Sequence, residues 1–503
     1  MGRALAAVIA VLAACGPDKR DNTGDGGTGD GNDMPVDMCK VQDDSNGVGM
    51  CDDKAPPNSF EPELQWAWTG PDGDTFSIVS PLVANLSDDN GDGMIDLCDV
   101  PDVVVVASPS SGFPGSEGHI YLLNGSTGAQ QLKIPTTVDG TVTPALGDLD
   151  GDGIPEIVTV DQMGALYVFS HTGAVKVGPG GKWAGDHYSG AIALADLDHD
   201  GSVEIIGGNT VWNSSGVVKW TAPATQASWN ATTVADLDND GFQEVVLGHA
   251  AYRHDGSQYY LSNISPGYPQ VANLDADPEP EVLVTNINGL SLLEHDGAVK
   301  YQDLRPTGSP VGGTTWLRPA TIHDFDGDGK AEYAMSSANF YTLYNANGSI
   351  KWSTPVSDQS GIAAGTAFDF LGDGTAEAMY ADEMFLFVFG PTGQPIFSMP
   401  RTSGTLTEYP VVADIDNDGS AEIIVVSNQY PGLTPSPTVQ VIKDKMDRWI
   451  QARRIWNQHT YHVTNVREDG TIPQNEVPSW TRLNTFRTNA QINGNGVCQP
   501  PIL

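Results

Sequence analysis

Positive charge is scarce in this chain. Only 24 lysines and arginines stand against 64 aspartates and glutamates in 503 residues, a formal net charge of −40, and just ten of the basic side chains fall between residues 71 and 400. Nucleic acids and anionic membrane surfaces are gripped by basic patches, so neither is expected as a partner. Cysteine is sparse, at five. Apolar runs long enough to span a bilayer are missing throughout. No Ser-His-Asp arrangement, catalytic glutamate pair or phosphate-cradling glycine loop stands out. Glycine and proline are plentiful, at 57 and 34, and suit many strands joined by tight turns, so the class read from composition is all-β.

Much of the acid is gathered in one repeated phrase. "DLDGDGIPEI" at 148–157 returns as "DLDHDGSVEI" from Asp196, "DLDNDGFQEV" from Asp236, "DFDGDGKAEY" from Asp324 and "DIDNDGSAEI" from Asp414. Weaker copies start at Asn273 ("NLDADPEPEV") and Asp369 ("DFLGDGTAEA"), and "DDNGDGMIDLCD" starts at Asp88. The starts are spaced irregularly by 37 to 60 residues, about the length of one propeller blade.

Within the unit 143–176, "PALGD" leads into the acidic loop, "EIVTVD" and "ALYVFS" read as half-buried strands, and "HTG" turns into a fourth strand, "AVKV". A four-stranded sheet cannot bury both faces alone, so the copies must stack around an axis as a β-propeller. Closure is legible too. "ELQWAWTG" at 63–70 matches a fourth strand with no partners before it, whereas the last unit, "EIIVVSN" and "TVQVIKD", lacks one. Residues 65–68 are therefore expected to complete the blade begun near Tyr409, giving eight four-stranded blades, or seven if a weak copy is not a full blade.

Carboxylates crowded in this way repel unless a cation sits among them. Asp148, Asp150, Asp152 and Glu156 occupy positions 1, 3, 5 and 9 of the loop, with glycine at 6, a pattern of hard oxygen ligands that suits Ca2+. The same positions hold Asp196, Asp198, Asp200 and Glu204; Asp236, Asp238, Asp240 and Glu244; Asp324, Asp326, Asp328 and Glu332; and Asp414, Asp416, Asp418 and Glu422. The weaker copies offer Asn273, Asp275, Asp277 and Glu281, with Pro278 in place of the glycine, and Asp369, Asp373 and Glu377, with Leu371 in place of a ligand. In the first copy Asp88, Asn90, Asp92, Asp96 and Asp99 fit the twelve-residue EF-hand loop without its helices. None of these ligand positions carries His or Cys, which disfavours zinc and copper.

On these loops and the strand after each, the span 61–444 resembles the FG-GAP or VCBS repeat proteins, whose propeller is similar to the integrin α-subunit head. The resemblance implies calcium bound between the first two strands of a blade. The Phe-Gly and Gly-Ala-Pro pieces that name the family are mostly absent, as "IIGGN" and "VVLGHA" show, which leaves integrin-like ligand specificity without support.

The first residues, "MGRALAAVIAVLAACG", read as an export signal, and "LAAC" resembles the bacterial lipobox, which makes Cys15 the expected lipidated residue of an extracytoplasmic envelope protein. Residues 16–60 read as a Gly/Asp-rich tether with a cysteine pair. An exported chain permits disulfides, and nearness in sequence favours Cys39 with Cys51, leaving Cys98 with Cys498. From Lys445 the composition turns basic. Trp449, Ala452, Ile455 and Trp456, at near-helical spacing, predict an amphipathic helix and then an extended tail, together a cap over 445–503 on the acidic propeller. His459 and His462 lack a nearby Glu or Cys partner in the sequence and make a weak metal or base motif.

Two function classes follow. One is a monomeric, membrane-anchored propeller binding a protein or glycan through exposed aromatics in the connections between blades: Trp183, Trp229, Tyr268 and Trp316. The other is a polysaccharide lyase on a calcium-containing propeller, which would need a base and cations that the propeller span hardly offers. An envelope structural protein without a discrete ligand is a third reading.

Overall fold

The computed structural model describes residues 39–41, 49–109, 116–223, 231–305, 316–358, 363–493 and 496–503. Cys15 and Trp229 lie outside these residues. Among the described residues no helix is long and apolar enough to cross a membrane.

Among the described residues eight antiparallel sheets of four sequential strands form the ring, that of blade 1 with a fifth short strand, Val138–Asp139, on its third, and each sheet begins with a short, fully buried strand. These first strands are Leu82–Ala84, Ala145–Gly147, Ile192–Ala195, Thr233–Ala235, Gly267–Ala272, Thr321–His323, Gly365–Phe368 and Val411–Ala413, in blades 1 to 8. First strands of successive blades touch one another, which places them around the axis. The fourth strands are the outermost and most exposed, as the pattern of Val218–Thr221 shows. In blade 8 the fourth strand is Pro62–Trp68, paired antiparallel with Val439–Asp444, so the chain's two ends close the ring as the sequence predicts.

The C-terminal segment departs from expectation. No helix forms over 445–456; among the described residues the segment holds 3-10 turns at Val463–Asn465 and Ser479–Thr481 and a short strand pair, Ile492–Asn493 with Gly496–Val497. A helix would satisfy its own backbone and bury one face. Here Trp449, Ala452, Ile455 and Trp456 are buried, and so are the polar Arg453, Asn457 and Gln458 between and after them. The segment instead bonds to the first strand of every blade, or to a residue flanking it. Val83 and Trp456 exchange backbone hydrogen bonds, Leu146 N–H donates to the Asn457 carbonyl, and Leu194 N–H donates to Gln458 Oε1. Thr460 Oγ1 donates to Thr232 O, and Asn484 both donates to and accepts from the Asn273 backbone. Phe486 pairs with Ile322, Thr366 Oγ1 donates to Arg487 O, and Asn489 Nδ2 donates to Val412 O. A segment that reaches all eight blades in turn must lie on the axis. It fills the centre of the ring and supplies partners to inner strand edges that would otherwise be buried unpaired.

The disulfides also differ from the sequence pairing: Cys39 bonds Cys98, and Cys51 bonds Cys498. The segment after Cys51 runs along the acidic loop of blade 7, where Ala55 N–H donates to Leu371 O, and Cys51 N–H donates to Gln499 O, which sets Cys51 beside Cys498 rather than Cys39.

Candidate metal centres

Each acidic loop joins the first strand of a blade to the second. The position-1 aspartate directly follows the first strand and the position-9 glutamate opens the second, so pairing of the strand's last residue with that glutamate, as with Gly147 opposite Glu156, holds the two acids near each other. In blades 2 to 8 one oxygen of the position-9 glutamate accepts the backbone N–H of position 2, at 2.6–3.2 Å. The position-1 aspartate accepts the N–H of the glycine at position 6, as Asp148 does from Gly153 at 2.9 Å. Position 4 is left-handed as well, with φ near 58° at His199 and Asn417, which explains the Gly, Asn or His found there. Asp148, Asp150 and Glu156 converge with one oxygen each within 4.8 Å, and so do Asp196, Asp198 and Glu204, and Asp236, Asp238 and Glu244. Asp275, Asp277 and Glu281 converge in the same way and are joined by Glu294 of the third strand, which the sequence pattern did not include. The position-5 aspartates close the turn two residues on: Asp152 accepts from Ile154, Asp200 from Ser202, Asp240 from Phe242, Asp328 from Lys330, Asp373 from Thr375 and Asp418 from Ser420.

Blade 1 is out of register with its sequence alignment. The structural counterpart of Glu156 is Asp102, which faces Ala84 and accepts the Leu86 N–H at 3.0 Å. The 88–99 loop is an insertion between these points. Asp99 Oδ1 accepts from Asp89 and Asn90, Asp99 Oδ2 from Asp96 N–H, Asn90 Oδ1 from Asp92 and Asp88 from Gly91 and Gly93, so the EF-hand-like turn is preformed.

A second regularity faces every loop. All eight fourth strands carry a β-bulge against the third, and the bulged residues are Gln131, Lys176, Lys219, Tyr259, Lys300, Lys351, Ile396 and, in the closing strand, Gln65. A bulge re-aims its side chain. In four blades it aims an ammonium at the position-3 and position-9 carboxylates. Lys176 lies 2.6 Å from Asp150 and 2.5 Å from Glu156, and Lys219 lies 3.1 Å from Asp198 and 2.8 Å from Glu204. Lys300 bonds Asp275 and lies 2.8 Å from Glu281; Lys351 bonds Asp326 and lies 2.7 Å from Glu332. Burial works against the charge on these lysines, but the carboxylates more than offset it, and the pKa of each is raised.

The other loops are not neutralised in this way. In blade 8 the neutral Gln65 donates to Asp416 Oδ2 at 2.7 Å and Gln451 donates to Asp414 Oδ2 at 2.9 Å. Asp414 Oδ1, Asp416 Oδ1 and Glu422 Oε1 are buried and unpartnered. Burial and mutual repulsion push Asp414 up to about 8 and Asp418 up to about 7, with Glu422 well above the carboxylate range. In blade 4 Arg253 reaches Asp238 at 3.1 Å, yet Glu244 Oε1 is unpartnered and burial raises that carboxyl to about 8. Burial likewise lifts Asp369 in blade 7 to about 6. The donor set and the orphaned oxygens fit a hard cation best in blade 8, since isolated buried carboxylates are costly. The lysine loops fit one poorly: an ammonium and a divalent ion 4 Å apart repel by about 8 kcal/mol at an effective dielectric near 20.

The aromatics expected to face a ligand are core residues. Trp183 is buried with its ring 6.2 Å from that of Trp212, Tyr268 stacks on His459, and Trp316 packs in the cluster with Leu290 and Tyr333. Large rings at the blade joints fill the wedge between twisted sheets, and this outweighs their exposure as contacts. His459 and His462 are buried in the axial segment, with His462 Nε2 2.6 Å from Glu476.

No protein-family profile and no curated protein matches the chain. Its fold is similar to solved structures. The Vibrio cholerae biofilm matrix protein Bap1 aligns with a TM-score of 0.72 at 22% identity, over 88% of this chain and 100% of that one. The exotype rhamnogalacturonan lyase YesX aligns at 0.51 and 19% identity over 78% and 75%, and the Bacillus licheniformis rhamnogalacturonan lyase PL11 at 0.52 and 17% over 88% and 82%. At such identities the likeness establishes the propeller fold.

Proposed function

We propose that this protein is a calcium-binding, lipid-anchored module of the bacterial cell envelope that works outside the cytoplasm by binding a matrix glycan or protein. In this reading residues 1–15 are the export signal ending at the lipidated Cys15, residues 16–60 the tether, 61–444 a propeller of FG-GAP/VCBS type and 445–503 its axial segment. The observation that carries the choice of binding over catalysis is the filled axis. A propeller's central channel is where a ring of inner strands can converge side chains on one ligand, and here the chain's own buried runs 455–461 and 486–490 bond to the inner strands and occupy it, with His459 and Arg487 buried. The whole-length likeness to a biofilm matrix protein supports the same reading.

The lyase reading rests on the likeness to rhamnogalacturonan lyases. It would require a base and cations near an acidic sugar, and four lysines of the propeller are already committed to the acidic loops. A glycan array probed with purified protein, in calcium and in chelator, is expected to show calcium-dependent retention of acidic or neutral polysaccharides without new unsaturated ends. Release of unsaturated uronate, read as new ultraviolet absorbance, would favour the lyase instead.

A further inference from the structure

From the bulges we infer that the propeller's acidic loops are not equivalent: four are neutralised by a built-in lysine and closed to calcium, whereas the 414–422 loop of blade 8 is open to it. The inference rests on the calcium reading above and says where the ion goes.

The loops of blades 2 to 8 share the bond from the position-2 N–H to the position-9 glutamate, and what distinguishes the lysine loops from that of blade 8 is the residue that the fourth-strand bulge delivers. Where it is Lys176, Lys219, Lys300 or Lys351, the ammonium bridges positions 3 and 9, the two carboxylates that a cation would have to share. Blade 8 receives its bulge from the N-terminal closing strand, and the residue there is Gln65, an amide without charge. Asp414 and Glu422 are both fully buried, and each keeps an oxygen with no partner. The nearby Lys443 is engaged with Asp447 at 2.7 Å, and Arg454 with Glu468 at 2.7 Å while it donates to Asn417 Oδ1, at position 4 of the loop, at 3.2 Å. A flexible oxygen set of four carboxylates is the chemistry of Ca2+ rather than of the stricter Mg2+. Because Gln65 comes from the start of the chain and Asp414 from near its end, an ion there would also pin the closure of the ring.

The test is calcium content, measured by elemental analysis after equilibrium dialysis of the full metal-stripped chain, with Tb3+ luminescence as a second readout. Asp416→Asn is expected to lose about one ion relative to the parent protein. Asp198→Asn, in a lysine loop, is expected to lose none. Lys219→Met removes the built-in cation and is expected to gain about one ion. A loss in Asp198→Asn matching that in Asp416→Asn, or no gain in Lys219→Met, overturns the division while leaving calcium binding intact. No bound calcium in any variant overturns the calcium reading itself. Should Asp416→Asn fail to fold by circular dichroism, the Lys219→Met gain decides.

Discussion

The backbones of Val83 and Trp456 exchange two hydrogen bonds of 2.9 Å, which tie the innermost strand of the first blade to the segment that follows the last. The Trp456 indole is fully buried against Tyr461, with ring centroids 4.5 Å apart. Trp456→Ala should therefore cost about 4 kcal/mol in urea unfolding, the usual range for a buried large aromatic. Truncation after residue 447 should be worse, since every inner strand loses partners, and should leave insoluble protein. A soluble, cooperatively melting truncate would show that the axial segment is dispensable.

Disulfide mapping of the unreduced protein should give peptides joining Cys39 to Cys98 and Cys51 to Cys498. The second bridge spans 447 residues of sequence. Replacing Cys51 and Cys498 together by serine should destabilise the fold by about 2–5 kcal/mol, the range for removing a native bridge. Recovery of a Cys39–Cys51 peptide would restore the pairing by sequence proximity.

The ring, its count of blades and its closure were legible because a repeated loop and an unpartnered strand leave a periodic trace. The bulged residues were legible too, in principle: Lys176, Lys219, Lys300 and Lys351 each stand three residues after the turn glycine of their unit. Their partnership with the acidic loop depends on a bulge, and that needs the strand register. The axial segment could not be read, because its helical spacing of apolar residues is a coincidence of an extended chain buried on all sides. The aromatics Trp183, Tyr268 and Trp316 misled for a related reason: connections are usually exposed, but at blade joints they line a wedge that large rings fill.

Two histidines of the axial segment should give stability opposite pH dependences. Burial, aided by Arg487, holds His459 well below the usual histidine range. The unfolded chain then takes up a proton that the folded one refuses, so stability falls as pH drops below about 6.5, by at most about 1.4 kcal/mol per pH unit. Burial pulls His462 down as well, but the Glu476 carboxylate more than offsets it and the pKa is raised. Its contribution is fully present below about 6.5 and is lost as pH rises through the folded value. Urea titrations from pH 5 to 8 should show His459→Gln flattening the acid side and His462→Gln the alkaline side. Unchanged slopes would mean that neither group titrates as assigned.

Cys15→Ser should abolish lipidation and move the protein from the membrane fraction to the soluble one on centrifugation of lysed cells. A variant that still sediments would be held by something other than the lipid.

Deleting residues 63–70 should be far more damaging than deleting the equally long stretch 26–33. The first removes most of Pro62–Trp68, the strand that pairs with Val439–Asp444. With it go the Trp66 indole, which donates to Gly125 O at 2.6 Å and so links blade 8 to blade 1, and Gln65, which bonds Asp416. The strand Val439–Asp444 would become an unpaired edge, a template for association between chains. The expected outcome is a lower melting temperature together with aggregates on size-exclusion chromatography, neither of which the 26–33 deletion should produce. Equal melting of the two variants would mean that the ring holds without its closing strand and that the axial segment alone keeps blades 1 and 8 together.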